Sequence, residues 1–219
     1  MPVPSDPPSP VPARQTAAAL AARTGELGRL PEWDLSHLYP GIESKAFRQD
    51  LARAEAECKA IAEAYRGKLE GLARGEDAAR TLGEAVRRYE AVEDLLGRLM
   101  SFAGLVYSGD TTDPERAKFY GDTQERLTAA SSDLLFFGLE LNRIDDAVMD
   151  SATSAEPIAH YRPWIEDLRK DKPFQLDDRI EQLFHEKSVT GRSAWNRLFD
   201  ETIASLRFTV RAALAAASW

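Results

Sequence analysis

The segment from residue 78 to residue 141 constrains the fold of this chain more than any other. Its apolar residues recur at spacings of three and four, which is the pattern of an amphipathic α-helix. A polar break at residues 108–112 divides the pattern into two helices. Asp113 and Pro114 then supply a helix start, because Asp caps free amides and proline is tolerated at the first helical position. A short loop between two long helices makes them antiparallel neighbours.

The sequence therefore predicts an all-α, multi-helix bundle built on a long antiparallel helical hairpin. The apolar stripe of its first helix is Leu82, Val86, Tyr89, Val92, Leu96, Leu99, Phe102 and Val106. The stripe of its second helix is Tyr120, Thr123, Leu127, Ala130, Leu134 and Phe137. Neither stripe can be buried by one helix alone, so the two helices need each other and further partners.

Further helices are predicted on both sides of this hairpin. One begins near Ser44, carries an apolar stripe from Phe47 to Tyr65, and ends at Arg66-Gly67. Another begins at Pro157, and Pro163 is expected to kink it. Two more are predicted before and after Gly191. Their apolar residues are Leu176, Ile180, Leu183 and Phe184 in the first, and Trp195, Leu198, Phe199 and Ile203 in the second.

The two ends of the chain differ in composition from the helical region. Six of the first 12 residues are proline, and an alanine-rich run follows at residues 17–22. This composition predicts a disordered Pro/Ala-rich tail over residues 1–30. Residues 206–210 alternate apolar and polar residues and predict a lone strand. Residues 211–219 form a divergent tail whose low complexity is typical of an out-of-frame reading. Residues 31–210 remain as the helical domain.

Charge and hydropathy exclude several classes of partner. The net charge is −8, and the basic residues are interleaved with acidic ones, so we expect no nucleic-acid surface. No apolar run reaches the roughly 20 residues that a transmembrane helix needs. The alanine run at residues 17–22 is too short and too weakly hydrophobic for a signal peptide. We therefore expect no membrane partner and a cytoplasmic location.

An ordered set of short motifs resembles the amino-terminal region of one peptidase family. The set includes Trp-Asp-Leu at 33–35, Leu-Tyr-Pro at 38–40, Ala-Gly-Leu-Val-Tyr at 103–107 and Leu-Phe-His-Glu-Lys-Ser at 183–188. In this order the motifs resemble the oligoendopeptidase F family, one of the thimet-oligopeptidase-like zinc metallopeptidases. The resemblance covers about residues 31–210. It implies a mostly helical protein of two lobes around a channel, in which short peptides are cut internally.

The resemblance also implies one zinc ion, held by two histidines of a His-Glu-x-x-His helix and by a later glutamate. The three histidines of this chain are His37, His160 and His185. His185-Glu186 is the nearest approach to the motif, but Val189 stands where the second imidazole is needed. We therefore assign no catalytic, cofactor-binding or metal-binding residue in this chain. Zinc is expected only for the full-length family enzyme.

Other catalytic chemistries have no support in the sequence. Cys58 lies on an apolar helix face and is interpreted as a small buried hydrophobe. The serines lack the Gly-x-Ser-x-Gly context of a nucleophile elbow. The acidic pairs at 145–146, 177–178 and 200–201 are interpreted as helix caps or solvated charges. The aromatic residues of the hairpin, which include Tyr89 and Phe102, are interpreted as packing in the hydrophobic core and not as the wall of a ligand-binding site.

The functional hypothesis is an amino-terminal region of a zinc-dependent oligoendopeptidase that hydrolyses internal bonds of short peptides. We expect the chain to be truncated or frameshifted and to be inactive alone, with short peptides as partners when a catalytic lobe is present. The alternative is a non-catalytic helical module that binds a peptide or a protein. A third hypothesis is a helical scaffold that associates with itself through an exposed apolar stripe.

Overall fold

The computed structural model describes residues 33–207, and every regular element in this range is helical. Within this range, residues 35–207 belong to one compact unit. The α-helices are α1 (Lys45–Tyr65), α2 (Leu69–Ala73), α3 (Ala78–Gly109), α4 (Pro114–Ser131), α5 (Leu135–Arg143), α6 (Asp146–Ala152), α7 (Arg162–Leu168), α8 (Asp178–Thr190) and α9 (Arg192–Ser205). Single 3₁₀ segments span Ser132–Leu134, Ile158–Tyr161 and Arg169–Phe174. The all-α prediction is confirmed.

The predicted hairpin is present as α3 and α4, and α1 packs against both helices. The start of α4 is capped as expected, because the Asp113 carboxylate accepts hydrogen bonds from the amides of Glu115 at 2.8 Å and Arg116 at 3.3 Å. Ser44 caps α1 in the same way through the Phe47 amide, at 3.2 Å. The chain leaves α1 through Gly67, whose φ of 76° lies in the left-handed region that favours glycine.

The core of the hairpin region contains a cluster of four aromatic rings. The Tyr39 ring lies 5.2 Å from both Phe47 and Phe102, in edge-to-face geometry, and Phe119 lies 5.0 Å from Phe47. Tyr39 is 1% exposed, and its hydroxyl donates a hydrogen bond to Asp50 at 2.9 Å. The cluster joins the segment before α1 to α1, α3 and α4. Phe102 is therefore buried in the core and Phe119 packs against it, as the sequence predicted, whereas Tyr89 is only partly buried.

Gly83 marks a close approach between α3 and the segment that follows α6. A Cβ atom at this position would lie 2.9 Å from Cγ of Pro157 and 3.1 Å from the backbone nitrogen of Ile158. Ile158 is fully buried at this contact. The absence of a side chain at residue 83 therefore allows Ile158 to pack directly onto α3.

The second helix of the hairpin is shorter than the sequence predicts. It ends at Ser131, a 3₁₀ turn follows, and α5 begins at Leu135, so Leu134 and Phe137 lie outside α4. The hydroxyls of Ser131 and Ser132 both donate to the carbonyl of Thr128, at 3.2 Å and 2.9 Å. A serine hydroxyl that bonds to a carbonyl of the preceding turn competes with the backbone amides for that carbonyl and weakens the helix. The helix breaks where two such serines are adjacent.

Two other predictions near the carboxyl end differ from the structure. The predicted kink at Pro163 is wrong. Ile158–Tyr161 is a separate 3₁₀ turn, and Pro163 lies in the first turn of α7, where its missing N–H costs nothing. Of the predicted strand at 206–210, only Leu206 and Arg207 are described, and neither is in a strand. The remainder of that segment and the predicted tails at 1–30 and 211–219 lie outside the described residues.

Candidate functional site

The helices α8 and α9 carry the predicted apolar stripes, but these stripes are not buried. Gly191 separates the two helices, and neither helix contains a buried residue. We call the following exposed side chains the α8–α9 stripes: Leu176, Ile180, Leu183, Phe184, Trp195, Leu198, Phe199, Ile203 and Leu206. Their exposed fractions range from 43% to 71%. Soluble monomers rarely leave extended apolar surface uncovered, so the stripes are a candidate interaction surface.

Polar contacts attach α8 and α9 to the rest of the compact unit. Nε2 of His185 lies 2.9 Å from Oγ of Ser131 and 3.1 Å from the carbonyl oxygen of Thr128, which joins α8 to α4. Asp178, at the start of α8, pairs with Arg143 of α5. The Arg197 guanidinium of α9 lies against Gly121 of α4. His185 therefore has a structural role in the described part of the chain.

The three histidines do not come together in a metal site. His37 and His160 are exposed, whereas His185 is half-buried on α8. Within residues 33–207, no group of three His, Cys, Asp or Glu side chains has the arrangement needed to hold a metal ion. Val189, one helical turn after His185, carries no donor atom. The described residues therefore do not fit the zinc site that the family resemblance implies.

The nucleophiles and carboxylate pairs singled out in the sequence have structural roles. Cys58 is fully buried, and burial raises the pKa of its thiol to about 12, so the reactive thiolate is disfavoured. The Ser188 hydroxyl donates to the carbonyl of His185 at 2.7 Å. Asp145 caps α6 through the amides of Ala147 and Val148, and Asp177 caps α8. These caps confirm the interpretation made from the sequence.

A cleft of about 570 Å³ lies between α3, α5 and α8, and the sequence analysis did not identify it. Tyr89 and Glu93 of α3, Asn142 of α5, and Glu181 and His185 of α8 contribute to its walls. The only signal in the sequence is that Glu93 follows Tyr89 by four residues, next to the apolar stripe of α3. The surroundings of this carboxylate depend on α5 and α8, which lie far along the chain.

The polar groups of this cleft are unevenly satisfied. Burial raises the pKa of the Glu93 carboxyl, and a hydrogen bond from Tyr89 and the proximity of His185 offset this only in part. Asn142 is 4% exposed, and its Oδ1 atom has no hydrogen-bond partner among residues 33–207. Glu181 accepts a hydrogen bond from the Leu176 amide at 2.8 Å. The cleft thus combines carboxylates with one buried acceptor that lacks a donor.

Comparison with known proteins supports the resemblance seen in the sequence. Residues 140–208 match the family model for the amino-terminal part of the M3 peptidases, described as oligopeptidase F. No curated protein and no solved structure gives a significant match. None of the described helices is long and apolar enough to cross a bilayer. The matched residues contain α8, α9 and one wall of the cleft. Residues 140–208 are therefore similar to the amino-terminal region of the oligoendopeptidase F family.

Proposed function

We propose that this chain acts as the amino-terminal region of a zinc-dependent oligoendopeptidase that hydrolyses internal bonds of short peptides. The family match over residues 140–208 supports the assignment to this peptidase class. The 219 residues contain no His-Glu-x-x-His sequence, and the described residues do not form a metal site. In this proposal, residues outside this sequence supply the zinc ligands and the catalytic glutamate, and the chain alone is inactive.

The observation that carries this proposal is the exposure of the α8–α9 stripes within the matched region. An amphipathic helix is stabilised mainly by burial of its apolar face, at about 25 cal/mol for each Å² of apolar surface removed from water. The stripes of α8 and α9 follow the correct helical spacing, but their side chains remain 43–71% exposed within residues 33–207. In the proposed enzyme, the catalytic lobe covers these stripes and shares the peptide-binding channel with them.

Two measurements test the proposal. The coding DNA beyond codon 210 is sequenced and translated in all three frames; we expect one frame to continue with helical periodicity and reach His-Glu-x-x-His. The protein from that restored frame is then compared with the 219-residue chain on an internally quenched short peptide, with and without a zinc chelator. We expect chelator-sensitive cleavage only by the restored protein. Chelator-sensitive cleavage by the 219-residue chain would refute its inactivity.

The same stripes also favour a second candidate function, in which the chain is a non-catalytic module that binds a peptide or protein, or a second copy of itself. Sedimentation velocity over a range of concentrations separates these cases. The variant Phe184→Gln/Phe199→Gln removes two apolar side chains of the stripes that are each 64% exposed. If the parent chain associates with increasing concentration and this variant does not, the result would support self-association through the stripes. Peptide binding without hydrolysis, in the absence of self-association, would support the peptide-binding module.

A further inference from the structure

We propose that two copies of this chain associate by packing α8 of each copy against α9 of the other, with Lys187 paired to Glu201 of the partner subunit. The pair would occur twice in the dimer. This inference deepens the second candidate function given above, on which it rests, and it is independent of the peptidase assignment. It names a second copy of this chain as the molecule that covers the α8–α9 stripes.

Both helices turn their apolar faces away from the core. The side chains of α8 and α9 that are half-buried against the rest of the compact unit are mostly small or polar. Among them are His185 and Ser188 on α8, and Ser193 and Ala204 on α9. The large apolar side chains of the stripes face outward and are exposed. A second copy can therefore cover them without displacing either helix from the core.

The area of the stripes matches that of a stable dimer interface. At about half exposure each, the nine side chains offer on the order of 800 Å² of surface. A standard protein–protein interface buries about 800 Å² on each partner. Three of the nine side chains are aromatic, namely Phe184, Trp195 and Phe199, and aromatic residues are enriched at interface centres. A symmetric pair of copies would bury both sets of stripes at once.

One charged residue within the stripes limits what can cover them. Lys187 follows Leu183 by four residues and Phe184 by three, so it lies along the α8 stripe. Its ammonium group forms no ion pair within residues 33–207. A molecule that covers α8 must therefore bring a carboxylate, because a buried charge without a counter-charge is costly.

The α9 stripe of a second copy supplies this carboxylate. Glu201 follows Leu198 by three residues and borders the stripe, and it too forms no ion pair in the described part of the chain. Lys187 and Glu201 are each the tenth residue of their helix, since α8 begins at Asp178 and α9 at Arg192. When α8 of one copy lies parallel to α9 of the other, both charges stand about 14 Å from the helix starts. The surface is thus complementary to itself in charge as well as in apolar area.

The test is sedimentation velocity of the 219-residue chain and of two charge-reversal variants, Lys187→Glu and Glu201→Lys, over a range of concentrations. We expect the parent chain to dimerise and each variant alone to associate at least tenfold more weakly, because like charges then face each other. An equimolar mixture of the two variants should associate as tightly as the parent chain, since each mixed dimer contains two pairs of opposite charge. A variant that fails to fold cannot recover in this way.

The matched control is Lys59→Glu, which makes the same change of charge on an exposed residue of α1, a helix that carries no part of the stripes. It should leave the association unchanged. A loss equal to that of Lys187→Glu would show an effect of net charge and overturn the proposal. So would a parent chain that stays monomeric, or a mixture that associates no better than its components. These outcomes leave the peptidase assignment untouched, because cleavage by the restored protein tests that assignment.

Discussion

Nε2 of His185 lies 2.9 Å from the hydroxyl oxygen of Ser131, although the two residues are 54 positions apart in the sequence. The contact joins the middle of α8 to the last residue of α4. It also places His185 at the wall of the cleft, beside Glu93. The histidine that comes closest to a zinc motif in the sequence is thus used to position a helix.

This contact predicts coupled effects of substitution at the two residues. Ser131→Ala and His185→Ala should each lower the free energy of unfolding by about 1 kcal/mol, because each removes the partly buried contact between the two side chains and a contact with the Thr128 carbonyl. The double variant should cost less than the sum of the single variants. Urea denaturation of the three variants and the parent chain measures this difference. Strictly additive losses would show that the two side chains do not interact.

Gly83 predicts a destabilising effect of a substitution that normally stabilises a helix. Gly83→Ala should lower the free energy of unfolding by about 1–3 kcal/mol, because its Cβ would meet Pro157 and the backbone of Ile158. Gly97→Ala is the matched control, since Gly97 lies on the same helix with no atom within 4 Å of a Cβ. It should raise stability by up to about 1 kcal/mol. The same sign for both variants would contradict the close contact at Gly83.

A pair of leucine substitutions tests where the core lies. Leu99→Ala should lower the free energy of unfolding by about 2–5 kcal/mol, because Leu99 is fully buried in α3 and truncation leaves a cavity. Leu183→Ala makes the same chemical change on α8, where the side chain is 51% exposed, and should cost less than about 1 kcal/mol. Chemical denaturation measures both. A comparable loss for Leu183→Ala would mean that α8 is buried in solution.

The thiol of Cys58 should be unreactive in the folded protein. Burial raises its pKa to about 12, and Cys58 is the one cysteine of the chain. At pH 8 we expect no reaction with a thiol-specific chromogenic reagent until urea unfolds the protein, when one equivalent should react. Rapid reaction without denaturant would show that α1 opens readily around this residue.

Tyr39 should contribute to a loss of stability at alkaline pH. Burial, together with the hydrogen bond to Asp50, raises the pKa of its phenol from 10.0 to about 12. The folded state therefore holds this proton more tightly than the unfolded state. The resulting stabilisation is complete below pH 10 and is lost as the pH rises from about 10 to 12.

The variant Tyr39→Phe provides the measurement, since it cannot ionise. The free energy of unfolding should fall less between pH 8 and pH 11 in the variant than in the parent chain. It should still fall in part, because burial also raises the pKa of Tyr89 and Tyr107. An identical fall in both proteins would show that Tyr39 titrates normally in the folded state.

The sequence predicted those features of the fold that depend on local spacing and capping. The α3–α4 hairpin, the Asp113 cap and the burial of Cys58 follow from helical periodicity and from residues adjacent in the chain. The turn after Ser131 also makes contacts across the fold, including the hydrogen bond from Arg66 to the carbonyl of Asp133 at 3.1 Å. Such contacts leave no periodic signal.

The sequence also could not predict the cleft or the exposure of the α8–α9 stripes, because both depend on how distant helices pack. Periodicity shows that one face of α8 is apolar, but it does not show whether another element covers that face. Likewise, Glu93 and Asn142 belong to different helices, and their proximity to the same cleft depends on how α3, α5 and α8 pack. The family resemblance gave no information about either surface.

The attachment of α8 and α9 through polar contacts implies that folding free energy is distributed unevenly along the chain. Ile165 is the last buried apolar residue in the described range, so the helices beyond it can separate from the remainder while the core stays intact. Their backbone amides should then exchange with deuterium by local opening, much faster than those of α1 and α3. Substitutions on the α8–α9 stripes should consequently change the free energy of folding only weakly.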